Sequence, residues 1–149
     1  MHLVAEIDDI RFLRAALQHG GNPDTRDNVT DETPLFLTIL YGREGHTALL
    51  FKAGADINAR PKIPGLTLPM LAVASSANYK LVCELLQKGA DYSLKGINGK
   101  TLADAIELRA IPPNDDQYIW REKVMEFLRS KGVQVHRPAH ERPRTKPIK

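Results

Sequence analysis

Thr33, Thr67 and Thr101 stand at intervals of 34 residues, and a second series, Gly20, Gly54, Gly89 and Gly132, follows at 34, 35 and 43. Two phased series of this kind confine the chain to a repeat architecture, in which one small unit recurs and stacks on itself. The unit is clearest from Thr33 to Asn58. Thr33 can cap a helix through its hydroxyl, and Pro34 suits the first helical position, where its missing N–H loses nothing. An apolar run reaches Leu40, Gly42 interrupts it, and a second apolar stretch ends at Gly54-Ala55-Asp56-Ile57-Asn58. Gly54 can take the left-handed conformation that closes a helix. The pattern therefore predicts a turn followed by two antiparallel helices.

The Thr-Pro-Leu opening at Thr33, the paired apolar stretches and the Gly-Ala-Asp close resemble the ankyrin repeat, whose unit is about 33 residues long. The resemblance implies an all-α ankyrin-repeat solenoid of about four helix-turn-helix units, the first and last modified as caps. The units fall at about 1–29, 30–60, 61–95 and 96–135, giving a repeat domain over 1–135.

Each unit departs from the pattern in its own way. In the first, Leu3–Ile7 is a candidate short helix and Asp8 or Asp9 a cap. Ile10, Leu13, Ala16 and Leu17 would then form one apolar face. In the second, Asp31 stands where the family usually has Gly, which puts the turn in question, and Gly42-Arg43-Glu44-Gly45 reads as a tightened inter-helix turn. The third has Thr67-Leu68-Pro69, with Pro69 still in the first helical turn, and the best-formed apolar faces. In the fourth, an insertion over 111–116 precedes a long amphipathic helix carrying Ile119, Val124, Phe127 and Leu128. Trp120 would cover the end of the core or face a partner.

The net charge of +3 is unevenly spread. Residues 136–149 hold Arg137, Arg142, Arg144, Lys146 and Lys149 against Glu141, a net of +4, which leaves the array at −1. With three prolines and almost no apolar residue, this basic segment is expected to be a disordered tail that buries little. No run approaches the roughly 18 apolar residues of a membrane-spanning helix. The start, Met1-His2-Leu3-Val4, shows no signal peptide, so a cytoplasmic protein is expected, although Met1 is compatible with a removed leader. The lone Cys83 rules out an intramolecular disulfide.

Residues for chemistry are scarce. The histidines His2, His19, His46, His136 and His140 have no H-E-x-x-H spacing, and with one cysteine they make no zinc set. No phosphate-binding glycine loop is present, and nothing places Ser75, Ser76 or His46 as nucleophile, base and orienter. The reading is non-enzymatic, with no catalytic residue, metal or cofactor.

The resemblance implies protein binding instead, through projecting turns and the first helices that line a concave face. Carried onto this sequence, the turn tips are Asn28, Val29, Thr30 and Glu32, then Lys62, Ile63 and Leu66, then Ile97, Asn98 and Lys100. The concave positions are Leu40 and Tyr41, then Ala74 and Ser75, then Leu108 and Arg109. Tyr41 and Arg109 are the favoured anchors, because aromatic and guanidinium groups often dominate interface energies. The expectation is a monomeric protein-interaction module, an inhibitor or an adaptor, with immunity against a bacterial toxin among the inhibitory roles. The alternative is nucleic-acid or acidic-surface binding through the basic tail. The tail has no aromatic residue and the array no net positive charge, which disfavours nucleic acid.

Overall fold

The computed structural model describes residues 9–60, 65–112 and 114–141. Among them are seven α-helices and no strand: α1 Ile10–Gln18, α2 Pro34–Leu40, α3 Glu44–Lys52, α4 Leu68–Ser76, α5 Tyr79–Gln87, α6 Leu102–Leu108 and α7 Gln117–Ser130. Three hairpins, α2–α3, α4–α5 and α6–α7, follow one another. The first helices form one row, α2 on α4 and α4 on α6, and the second helices another, with α1 on α3 and α5 on α7. This is an all-α repeat solenoid, and the expected helix over Leu3–Ile7 lies outside the described residues.

The two phased series set the helix ends. The hydroxyls of Thr33, Thr67 and Thr101 accept from the backbone N–H of Phe36, Met70 and Asp104 at 3.3, 3.5 and 3.4 Å. Each satisfies an N–H that the helix leaves without a partner. At Thr101 the cap is reciprocal, since Asp104 accepts from the Thr101 N–H at 2.7 Å. Gly20, Gly54, Gly89 and Gly132 all take left-handed φ, from 78° to 92°.

Two details differ from the sequence reading. Asp31 takes φ of 59° and so keeps the left-handed turn without glycine. Its backbone carbonyl and its carboxylate each accept from Arg26 Nη1 at 2.9 Å, which holds a conformation that Asp adopts less readily alone. The inter-helix turn of the second unit is not tightened. Gly42 and Ala77 are its left-handed residue and that of the third unit, and each lies 12 positions before its closing glycine. The first helix is shorter by two residues, since α2 has 7 and α4 has 9, and the connection that follows it is longer by one.

The turns are also tied to one another. Arg26 Nη1 donates to the Arg60 carbonyl at 2.6 Å, and Arg60 Nη2 in turn donates to the Lys95 carbonyl. Asp24 accepts from the Asp56 N–H and Asn58 from the Asp91 N–H, both at 2.8 Å. These bonds span 32 to 35 residues in sequence and fix each turn against the next.

Leu13, Leu35, Leu50, Val73, Val82, Leu85, Ile106, Val124 and Leu128 are fully buried and make one core through all units. Full burial of such side chains is worth about 1.5–3 kcal/mol each before entropy is counted. The second helices α3 and α5 leave a gap between them. There a cleft of about 190 Å³ separates Thr47, Ala48 and Phe51 from Lys80, Leu81 and Glu84 of α5.

The C-terminal segment departs furthest from expectation. Residues 136–141, read as part of a disordered tail, lie along α7 and are anchored to it. Arg137 makes two hydrogen bonds to Glu122, at 3.1 and 3.0 Å, and Glu141 holds the buried guanidinium of Arg121 through both carboxylate oxygens. His136 bonds to Glu107 at the end of α6 through its backbone N–H and its ring, both at 3.1 Å. Pro138 within the strap and Val135 just before it are buried. Residues 142–149, the rest of the expected tail, lie outside the described residues.

Candidate functional site

Because the helix pairs are in phase, their turns project along one edge and the ends of the first helices align in one row. At the first tip, Asn28, Val29 and Thr30 are exposed and Glu32 is half-buried, with Val29 90% exposed. Asp27 holds this tip by accepting from the Val29 and Thr30 N–H groups at 2.8 and 2.7 Å. Lys62 and Ile63 lie outside the described residues, and Leu66 is half-buried. At the third tip, Ile97, Asn98 and Lys100 are all exposed, on a 3-10 turn in which Asn98 takes φ of 56°.

The row behind the tips is equally open. Leu40 and Tyr41 end α2, Ala74 and Ser75 lie near the end of α4, and Leu108 and Arg109 end α6; all six are exposed. The Tyr41 ring carries the Arg43 guanidinium 5.8 Å from its centroid, an arrangement that stiffens both groups.

Between α4, α6 and the third tip lies a groove of about 340 Å³. Leu66, Met70, Val73, Ala105 and Leu108 supply its apolar surface, and Ile97, Lys100, Asp104 and Arg109 border it. The sequence reading named its rim but missed its floor. The available signal was the small pair Ala74 and Ala105, which leaves space between two neighbouring first helices. Asp104 is held below the ordinary carboxylate range by the Thr101 N–H and hydroxyl, with Lys100 adding a smaller effect.

Other reactive groups have local explanations. Burial pushes the Cys83 thiol up, against the opposing pull of Lys123, so it is not activated for nucleophilic attack. Its sulfur lies 3.8 Å from the Trp120 carbonyl, and Trp120 packs half-buried against the core beneath the Lys123 ammonium. Among the described residues no group of three His, Cys, Asp or Glu side chains is placed to hold a metal. No helix among them is long and apolar enough to cross a membrane.

Stacked helix pairs, capped by threonine and closed by left-handed glycine, with projecting turns beside an open row of helix ends, define a helical repeat solenoid. No family model matches the chain. It is 31% identical over 134 residues to ankyrin repeat and SOCS box protein 6 of Homo sapiens, covering 89% of this chain and 30% of that protein. It is 30% identical over 106 residues to ankyrin repeat and SAM domain-containing protein 6 of Mus musculus, covering 71% of this chain and 12% of that protein. It is also 31% identical over 83 residues to Protein PhlB of Serratia liquefaciens, covering 56% of this chain and 37% of that protein. The chain belongs to the ankyrin-repeat family. It spans about 30% of the length of the SOCS-box relatives.

Proposed function

We propose that the chain is a non-catalytic module that grips a partner protein with its turn tips and its row of first-helix ends, and thereby inhibits or scaffolds that partner. One observation carries the reading. Of the seven exposed large apolar residues among those described, five are Val29, Leu40, Tyr41, Ile97 and Leu108, all on the tips or in the row. Scattered apolar exposure needs no explanation, but its concentration on one side marks an interaction surface. Neutralisation of a toxin by an immunity protein is one form that inhibition of a partner takes.

Site-specific photo-crosslinking tests the surface directly, whatever protein occupies it. A photoreactive residue placed at Tyr41 or Arg109, in the cells that make the protein, is expected to capture the same protein. One placed at Glu84 on α5 is expected to capture none. Capture from Glu84 alone, or capture only of nucleic acid, overturns the reading.

A further inference from the structure

Resting on that reading, we infer that the groove between α4, α6 and the Ile97–Lys100 turn receives an apolar side chain of an extended peptide segment whose neighbouring residue is Asp or Glu. The groove has the size of a small ligand pocket at the lower end of the usual range. Its surface is aliphatic, and its lip is formed by Leu108, 78% exposed, and Ile97, 49% exposed. Covering these two side chains removes apolar surface that nothing in the array covers.

The charges around it select the flanking residue. Arg109 is exposed and has no ion-pair or hydrogen-bond partner for its guanidinium among the described residues. Lys100 is 60% exposed and lies 3.5 Å from Asp104, and an exposed pair of this kind holds its members weakly. Asp104 is already engaged by the Thr101 N–H at 2.7 Å and hydroxyl at 2.8 Å. The one carboxylate at the groove is thus satisfied from within, while two cations face outward. A guanidinium at an open rim pairs in bidentate fashion with a carboxylate. Ala74 lines the groove and belongs to the row of exposed first-helix ends that also holds Ser75 and Tyr41, which suits an extended segment rather than a compact ligand.

The test is selection of short random peptides displayed on phage, panned on the full chain and on Arg109→Glu. Enriched peptides are expected to pair Leu, Ile, Met or Phe with an adjacent Asp or Glu. A fluorescent copy of an enriched peptide should bind Arg109→Glu and Leu108→Ser at least about tenfold more weakly, a factor set by about 1.4 kcal/mol. Arg109→Lys, which keeps the charge but not the bidentate geometry, should bind more weakly than wild type and more tightly than Arg109→Glu, and panning on Arg109→Glu should enrich Lys or Arg. Thermal unfolding checks that each variant is folded. Enriched peptides without a carboxylate, affinities unchanged in Arg109→Glu, or no enrichment over a protein-free control each overturn the inference. Peptides that depend on Tyr41 or the first tip instead would overturn it while leaving the proposed function standing, and loss of crosslinking at Tyr41 and Arg109 would overturn the function itself.

Discussion

The guanidinium of Arg121, fully buried on α7, is closed off by the carboxylate of Glu141, which lies 20 residues further along the chain. The same carboxylate accepts from the Ile111 N–H at 3.4 Å, so one side chain ties the strap to both α7 and the insertion. Tyr118 adds to the site, with the guanidinium of Arg121 4.7 Å and that of Arg137 5.7 Å from its ring centroid. Burial opposes the charge on Arg121, and the hydrogen bonds and charge of Glu141 more than offset it, leaving its pKa raised.

Glu141→Ala is therefore expected to cost about 3 kcal/mol, since it leaves the buried cation only a longer ion pair to Glu122 at 3.9 Å. Urea unfolding measures the loss. The double change Arg121→Met, Glu141→Leu should recover most of it, because an apolar pair of similar size removes the charge as well. A loss under about 0.5 kcal/mol for Glu141→Ala, the scale of an ordinary surface change, would show that the strap is not anchored there.

Tyr79 is fully buried, and its hydroxyl finds no hydrogen-bond partner among the described residues. Tyr79→Phe is expected to leave stability at neutral pH unchanged or raised by up to about 1 kcal/mol, since it removes an unmet polar group. Burial pushes this phenol up to about 12, with Arg121 and Arg109 opposing. Its folded pKa lies above the unfolded value of about 10. The stability it contributes is thus complete below about pH 10 and is lost as pH rises towards the folded value. Unfolding followed across that window should fall less steeply for Tyr79→Phe than for wild type.

Gly96→Ala and Gly45→Ala should part company. A Cβ at Gly96 would lie 2.8 Å from the Gly65 carbonyl oxygen and 3.1 Å from Met70 Sδ, so backbone of the neighbouring turn must move. A cost of about 1–3 kcal/mol is expected. At Gly45, inside α3, the nearest atom is the mobile Cδ1 of Ile10 at 3.1 Å. There the helix preference for alanine, worth up to about 1 kcal/mol, should leave the change neutral or stabilising. Thermal unfolding of the two variants decides it, and equal losses would contradict the close approach of the turns.

The helix ends were legible because their chemistry is local. A threonine three residues before the N–H it caps, or a glycine closing a helix, depends on no distant contact. The turn at Asp31 was not legible, because its left-handed backbone depends on Arg26. The spacing of Arg26, Arg60 and Lys95 is present in the sequence and marks the ladder between turns. Composition misread the strap, since Pro138 and Arg137 look like tail chemistry until Glu122 and Arg121 are placed beside them. One signal was available. Arg121, Val124, Met125 and Leu128 share the buried stripe of α7, and an arginine in an apolar stripe calls for a distant carboxylate. Ile119, assigned to that stripe from sequence, lies off it and is 62% exposed. The binding positions came from the family resemblance, and the groove floor came only with the packing of α4 on α6.

The most direct test of the proposed protein-binding surface is the affinity of the crosslinked partner for a small panel of variants, each checked by thermal unfolding. Tyr41→Ala and Arg109→Ala are expected to weaken binding by about 2 kcal/mol or more while the fold stays intact. Leu85→Ala, which empties a fully buried core position, should cost about 2–5 kcal/mol of stability and affect binding only through unfolding. Glu84→Lys should change neither strongly. Normal binding by the Tyr41 and Arg109 variants, with binding abolished by Trp120→Ala or by changes in residues 111–116, would contradict the account and place recognition on the last unit.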